Sequence, residues 1–289
     1  MDWPSSGKAV LAARVSVTAG MVLALSITSG PARAGSWSAL AMVTNVKTNP
    51  EIYLKARDRS DARFVASGQS PSWTPDGQRL AFVDAGDVFI VNWDGSGLTQ
   101  LTGSTREEKT PAWSPDGTQI AFSAGGDLYV MDADGLNVRR LTESTDSEAE
   151  PSWSPDGKQI AFTAHVAMLE QLFVVNSDGS GRTRLSDGTA PDHDPDWSPD
   201  GGLIVFTSLR DGQQEIYTVP AIGGPLVRLT TNPGEDLNPA WSPQGTSIVF
   251  VSDRLGTNDL FVMAPDGSGQ TRITRYPASE TDPEWRPTS

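Results

Sequence analysis

Trp73-Thr-Pro-Asp-Gly77 is the first of five near-identical pentapeptides that recur along this chain. The others are Trp113-Ser-Pro-Asp-Gly117, Trp153-Ser-Pro-Asp-Gly157, Trp197-Ser-Pro-Asp-Gly201 and Trp241-Ser-Pro-Gln-Gly245, and a shortened copy is Trp285-Arg-Pro287. Successive tryptophans are 40, 40, 44, 44 and 44 residues apart. A period of this length is typical of the four-stranded blades of a β-propeller.

The segments between the pentapeptides predict the remaining strands of each blade. Pro-Asp-Gly favours a tight turn, and a β-rich run follows it, such as Gln119-Ile-Ala-Phe-Ser123. A second run, such as Asp127-Leu-Tyr-Val-Met131, leads to another turn and a short outer strand. We name the strands A to D from the channel outwards, with the tryptophan at the end of strand A. The tryptophans are predicted to anchor neighbouring blades by packing: Trp73, Trp113, Trp153, Trp197, Trp241 and Trp285.

The two ends of the chain complete each other. Residues 40–66 align without a gap onto residues 248–274, so the N-terminal segment supplies strands B, C and D but has no convincing strand A. The C-terminal segment supplies a strand A that ends at Trp285. Joining them closes the ring and removes exposed sheet edges. We therefore predict an all-β, six-bladed β-propeller over residues 35–289, whose closing blade is shared between N-terminal strands and the C-terminal strand.

The repeat Trp-Ser-Pro-Asp-Gly…Ile-Ala-Phe…Leu-Tyr-Val…Asp-Gly…Leu-Thr resembles the TolB-like β-propeller repeat family, a WD-like repeat. The resemblance covers essentially all of residues 37–287. It does not extend to the smaller α/β domain that precedes the propeller in TolB. It implies a periplasmic protein that binds partner proteins at one mouth of its channel. The same repeat forms non-catalytic propellers of peptidases, but the chain contains no Gly-x-Ser-x-Gly nucleophile motif.

Residues 1–34 have the features of a cleavable export signal. Lys8 and Arg14 precede an apolar run of about 13 residues, and Ala32-Arg33-Ala34 places small residues at both recognition positions of a cleavage site. The run is shorter than the roughly 20 residues that a membrane span needs. We expect a periplasmic or secreted protein, the alternative being a chain anchored in the membrane by its N-terminus.

Composition excludes several functions. The 289 residues include no cysteine and two histidines, so disulfides, thiolate sites and three-histidine metal sites are excluded. The net charge of -14 argues against binding to nucleic acid, which requires a basic surface.

The predicted binding face carries the B–C loops and the D–A connections. These B–C loops are four residues longer in the blades that begin at Trp153, Trp197 and Trp241, and variable loops are where binding residues concentrate. The same face carries acids at positions −5 and −3 relative to the anchor tryptophan. The candidate partner-binding residues are Glu108, Glu148, Glu150, Asp192, His193, Asp194, Asp236, Glu280 and Asp282.

Three interpretations of these acids stay open. A ring of carboxylates at a channel mouth suits a hard cation such as Ca²⁺, and it equally suits a basic peptide. Alternatively, each acid caps its own D–A connection or pairs with an arginine of a neighbouring blade. His193, between Asp192 and Asp194, is either a ligand or general base, or a histidine without a role of its own.

The sequence favours a non-enzymatic, monomeric scaffold that binds a protein or peptide of the cell envelope, with or without a cation. It would meet membranes only through its partners. The alternative is a polysaccharide lyase or glycoside-processing enzyme that uses carboxylates at the channel mouth.

Overall fold

The computed structural model describes residues 40–44, 49–55 and 62–287, and the predicted signal at 1–34 lies outside them. The described strands, in chain order, are β1 (Leu40–Thr44), β2 (Glu51–Lys55), β3 (Arg63–Ser67), β4 (Gln69–Trp73), β5 (Arg79–Asp84), β6 (Asp87–Asn92), β7 (Thr99–Gln100), β8 (Glu108–Trp113), β9 (Gln119–Ala124), β10 (Asp127–Asp132), β11 (Arg139–Arg140), β12 (Ser147–Trp153), β13 (Gln159–Val166), β14 (Leu169–Asn176), β15 (Thr183–Arg184), β16 (Asp192–Trp197), β17 (Leu203–Ser208), β18 (Glu215–Pro220), β19 (Val227–Arg228), β20 (Asp236–Trp241), β21 (Ile248–Ser252), β22 (Asp259–Met263), β23 (Thr271–Arg272) and β24 (Glu280–Trp285). The described residues contain no helix that could span a membrane.

The strands form six antiparallel four-stranded sheets arranged as a β-propeller, which confirms the predicted fold class. Blades 1 to 5 take consecutive strands, from β4–β7 through to β20–β23. Blade 6 has the order β24-β1-β2-β3, with Leu40 paired to Trp285. The predicted sharing of the closing blade between the two ends of the chain is therefore confirmed.

The Pro-Asp-Gly turns are rigid because the aspartate bonds to its own turn. In blade 2, Thr118 N and Ser114 Oγ donate to Asp116 Oδ1 at 3.0 and 2.6 Å. Gly117 has φ 70°, a left-handed conformation that glycine adopts at little cost. The turn thus joins strands A and B at a fixed angle on the face opposite to the B–C loops.

The core consists of aromatic pairs within blades and apolar clusters between them. One phenylalanine on each strand B of blades 1 to 5 is almost completely buried: Phe82, Phe122, Phe162, Phe206 and Phe250. Each lies 5.7 to 6.0 Å, between ring centroids, from an aromatic ring on strand C. Burial of one such ring contributes about 1.5–3 kcal/mol.

The repeat tryptophans lie between neighbouring blades. Five are buried and Trp285 is half-buried. Trp153 Nε1 donates to the carbonyl oxygen of Ala112 at 3.1 Å, and Trp197 Nε1 donates to that of Ser152 at 3.1 Å. Each bond joins a blade to the preceding one, so the tryptophans help to hold the blades around a central channel.

Candidate functional site

Every strand A contains a β-bulge that shapes the channel wall. A proline stands two residues before the tryptophan, at position −2, and the pairing with strand B shifts register beside it. The residue at position −3 has a positive φ in all six blades: Ser70 51°, Thr110 46°, Glu150 57°, Asp194 53°, Asn238 48° and Asp282 46°. Positive φ is uncommon outside glycine, and bulges re-aim side chains. In all six blades the residue at position −3 lies at the bulge and lines the channel.

The channel cavity of about 290 Å³ is lined by positions −3, −2 and −1 of the six strands A. Three lining acids at position −3 are called here the mouth acids: Glu150, Asp194 and Asp282. Two at position −1 are called the inner acids: Asp196 and Glu284. None of the described lining residues is lysine, arginine or histidine. The channel is therefore a polar passage with an acidic wall.

The mouth acids bridge neighbouring blades. Asp194 N donates to Glu150 Oε2 at 2.9 Å, and Ser70 N donates to Asp282 Oδ2 at 3.2 Å, which crosses the seam between blades 6 and 1. Hydroxyl groups of strand B add further bonds, because Thr163 donates to Glu150 at 3.0 Å and Thr207 donates to Asp194 at 3.1 Å. The carboxylates are thereby held in fixed positions around the channel.

The protonation of the channel is set by burial. Burial raises the pKa of Asp194 to about 7, and the negative charge of Glu150 adds to this effect while His193 opposes it. Burial likewise raises the pKa of Asp282 to about 6, and the charge of Asp194 contributes. The pKa of Glu150 is raised, first by burial. A cation that enters the channel would lower these pKa values and favour the ionised carboxylates, so the negative charge of the wall would increase when a cation binds.

The inner acids were not among the residues predicted from the sequence. Trp241 N donates to Asp196 Oδ2 at 2.7 Å, and Ser152 Oγ donates to Asp196 Oδ1 at 3.3 Å. Burial raises the pKa of Asp196 to about 6 and that of Glu284 to about 8. The sequence contained a signal for them. Residues two apart on a strand point to the same face, so position −1 should line the channel together with position −3, and two of the six residues at −1 are acidic.

The acids at position −5 lie elsewhere. They are buried and do not line the channel, whereas the sequence led us to expect them at its mouth: Glu108, Glu148, Asp192, Asp236 and Glu280. We call them the turn acids because they hold the D–A connections. Thr102 Oγ1 donates to Glu108 Oε2 at 3.0 Å, and Ser144 Oγ donates to Glu148 Oε1 at 2.9 Å. A register count from the tryptophan misses this because the bulge lies between positions −5 and −1.

Three turn acids also pair with arginines of their own blades. Arg210 Nη2 lies 3.1 Å from Asp192 Oδ1, and Arg254 Nη2 lies 2.9 Å from Asp236 Oδ2. Arg182 Nε lies 3.5 Å from Glu148 Oε1. Glu280 instead accepts hydrogen bonds from Thr274 Oγ1 and, at 3.3 Å, from Leu260 N, and burial raises its pKa to about 7. These contacts hold the acids inside the protein, three of them against arginines of their own blades and Glu280 against residues of the preceding blade. Direct contact with a partner is not proposed for them.

His193 is half-buried between a turn acid and a mouth acid. It interacts electrostatically with Asp194 and with Glu170. Glu170 Oε1 in turn forms a hydrogen bond of 2.8 Å with His165 Nδ1. Among the described residues, no group of three or more His, Cys, Asp and Glu side chains is arranged to hold a metal ion. Binding of Ca²⁺ therefore stays a prediction.

Comparison with solved structures shows the same fold in proteins of different kinds. TolB from Acinetobacter baumannii is similar with a TM-score of 0.76 and 21% identity, over 87% of this chain and 67% of that one. The putative TolB from Agrobacterium tumefaciens gives 0.68 and 23%, over 83% and 89%. An oligogalacturonate lyase from Vibrio parahaemolyticus gives 0.59 and 14%, over 83% and 75%. At these identities the likeness shows the fold alone.

Sequence comparison identifies the family. No curated protein matches the chain. The family model described as the TolB beta propeller domain matches residues 126–289, which is more than half of the 289 residues. The chain therefore belongs to the TolB β-propeller family.

Proposed function

We propose that the protein is an exported, non-enzymatic and monomeric scaffold that binds a positively charged protein or peptide segment at the acidic mouth of its channel. The observation that carries the proposal is the channel wall, where five carboxylates occur among the described lining residues and no basic side chain does. A lysine or arginine side chain that enters would favour the ionised form of these carboxyl groups, and it would meet their negative charge in a partly desolvated passage, where electrostatic attraction is stronger than in water. The channel wall thus favours segments that carry positive charge.

Family membership supports the same proposal. The match to the TolB beta propeller domain is consistent with a protein-binding role in the bacterial envelope, which the repeat pattern also implied. The apolar, basic-flanked segment within residues 1–34 supports export.

Binding of short peptides tests the proposal. We expect a hexalysine peptide to bind the protein with an affinity that falls as salt increases, and a hexaglutamate peptide not to bind. The double variant Glu150→Gln/Asp194→Asn should weaken hexalysine binding about tenfold or more, equivalent to about 1.4 kcal/mol. Titration calorimetry at two salt concentrations measures both effects.

A matched control removes the same charge from the opposite face. Asp76 and Asp116 are exposed in the Pro-Asp-Gly turns. The variant Asp76→Asn/Asp116→Asn should change hexalysine affinity by less than about twofold, since exposed charges beyond a Debye length are screened. Equal losses in the two double variants would refute the channel as the binding site.

The predicted cation has a separate test. A ligand that binds only the folded protein raises its stability by about 2.7 kcal/mol at a hundred times its Kd. We expect millimolar Ca²⁺ to raise the melting temperature relative to EDTA, and the Glu150→Gln/Asp194→Asn variant to lose that rise. An unchanged melting temperature in the wild type would contradict the cation that the sequence predicted and would leave the peptide proposal standing.

A polysaccharide lyase or glycoside-processing enzyme is the second candidate. Asp194 N donates to Glu150 Oε2, and the negative charge of Glu150 adds to the effect of burial in raising the pKa of Asp194 to about 7. A carboxyl group with a pKa near neutral suits general acid–base chemistry. The similarity to an oligogalacturonate lyase concerns the fold. Turnover of a polysaccharide, abolished by Asp194→Asn alone, would establish this candidate in place of the scaffold.

A further inference from the structure

The three long B–C loops beside the channel mouth fall into two kinds. In blade 4, Arg210 bonds to Ser208 Oγ at 3.0 Å and its guanidinium lies 5.1 Å from the ring centre of Tyr217. In blade 5, Arg254 bonds to Ser252 Oγ at 2.8 Å and lies 4.6 Å from the ring centre of Phe261. Each arginine also reaches a turn acid, so these two loops are held against their own blades.

The loop of blade 3 is a regular hairpin instead. Strands β13 and β14 have eight residues each, and their pairing continues through His165 with Glu170 to Val166 with Leu169. The other described B and C strands have five or six residues. Two extra residues per strand extend this hairpin by about 7 Å at the usual rise. The hairpin therefore stands out from the mouth face.

The tip of this hairpin, residues 166–169, is apolar and exposed. Met168 is 83% exposed, Ala167 is exposed, and Val166 and Leu169 are half-buried. The turn residues Ala167 and Met168 have φ 52° and 75°, where hairpins prefer Asn-Gly. A methionine side chain adapts its shape to apolar partners, and at this exposure it contributes little packing to its own blade.

The tip and the mouth acids belong to one surface. Thr163 of β13 donates a hydrogen bond to Glu150, and Glu170 of β14 interacts electrostatically with the same carboxylate. From Thr163 to Val166 the strand advances three residues, about 10 Å. A partner in extended conformation covers that distance in about three residues.

We propose that the hairpin tip is an apolar contact for the partner. The bound segment is then an extended peptide that carries a basic residue and a large apolar residue. A lysine or arginine enters the channel at the mouth acids, and a large apolar residue about three positions away packs on Met168. The inference rests on the proposed function and adds the apolar requirement and its spacing. Charge complementarity at the channel orients the segment, and packing against the hairpin tip selects for an apolar residue at that position.

Paired peptides test the inference. One peptide has lysine and leucine separated by two serines in a Gly/Ser background, and its twin has serine in place of leucine. We expect the leucine peptide to bind the wild type about fivefold tighter than its twin, the factor that about 1 kcal/mol of apolar burial provides. Met168→Ser should abolish that difference and Met168→Leu should preserve it.

Ile222→Ser is the matched control, because Ile222 is 96% exposed in the C–D turn of blade 4 on the opposite face. This variant should keep the fivefold difference. A difference that persists in Met168→Ser would overturn the inference while the channel site stands. Failure of both peptides to bind the wild type would overturn the proposed function and this inference with it. Binding of phosphatidylglycerol vesicles that depends on Met168, without discrimination between peptides, would overturn it in favour of a membrane contact.

Discussion

The mouth acids and the inner acids, together called the channel acids, lie on three strands that also carry turn acids, β12, β16 and β24. Each mouth acid is only two residues from the turn acid of its strand, yet the two have different environments. Asp192 and Asp236 are enclosed and paired with Arg210 and Arg254. Asp194, two residues after Asp192, lines the channel and faces Glu150, another acid. The environment of a carboxylate on strand A therefore depends on its position relative to the bulge.

The energetics differ accordingly. A buried carboxylate with a cationic partner is costly to disrupt, because removal of one partner leaves the other uncompensated. A carboxylate among other carboxylates carries unfavourable charge in the folded state, and its pKa rises. The turn acids should therefore matter most for stability and the channel acids for binding. Both groups contribute to pH dependence, since burial also raises the pKa values of Asp192 and Asp236.

The largest expected effect is the loss of a turn acid. Asp236→Ala removes the acceptor of two bonds from Arg254 Nη2, at 3.1 and 2.9 Å, and the partner of Asn232. We expect the free energy of unfolding to fall by about 3 kcal/mol or more, measured by urea denaturation at pH 7.

Asp194→Asn is the corresponding change in the channel. The amide oxygen can still accept from Thr207, and the repulsion with Glu150 disappears. Its free energy of unfolding should stay within about 0.5 kcal/mol of the wild type or exceed it. A loss as large as that of Asp236→Ala would break the distinction between the two groups.

The next effect is pH dependence. The folded-state pKa of Asp194 is about 7 and those of Asp196 and Asp282 are about 6, all above the ordinary aspartate value. A raised carboxyl pKa stabilises the folded state fully at pH values below the unfolded pKa, and this contribution is lost as pH rises through the folded pKa. Stability should therefore decrease from pH 5 to pH 8, measured by urea unfolding midpoints.

Hexalysine binding should change with pH in the opposite direction, because ionised carboxylates attract the peptide and protonated ones do not. The variant Asp194→Asn/Asp196→Asn should flatten the stability profile between pH 5 and pH 8. An equally steep profile in that variant would assign the titration to other groups, of which Glu280, with a pKa of about 7, is the first to test.

The smallest effect concerns an exposed acid one residue before a turn acid. Glu107 lies 3.2 Å from Lys109, and the two side chains are 70% and 54% exposed. Exposed ion pairs contribute little, so Glu107→Gln should change the free energy of unfolding by less than about 0.5 kcal/mol. The same titration should show less than a twofold change in hexalysine affinity, and a larger loss would extend the binding surface beyond the channel wall.

Much of the fold was predictable because the information is local and repeated. Trp113 and Pro-Asp-Gly mark a strand end and a turn wherever they occur, and the spacing of the copies predicts the blades. The candidate site was predictable in part. Glu150, Asp194 and Asp282 line the channel as expected, whereas Glu108 and the other acids at position −5 do not. The inner acids were missed.

The propeller, its six blades and its closure through Trp285 follow from the amino-acid sequence, because turn chemistry and strand periodicity act within a few residues. The environment of each carboxylate, in contrast, depends on how the strands are brought together in the folded protein. The bulge before each proline changes which side chains face the channel, and arginines that lie 18 residues from their acids along the chain neutralise Asp192 and Asp236. Burial and charge pairing depend on atoms brought together from different strands, and no local pattern contains them.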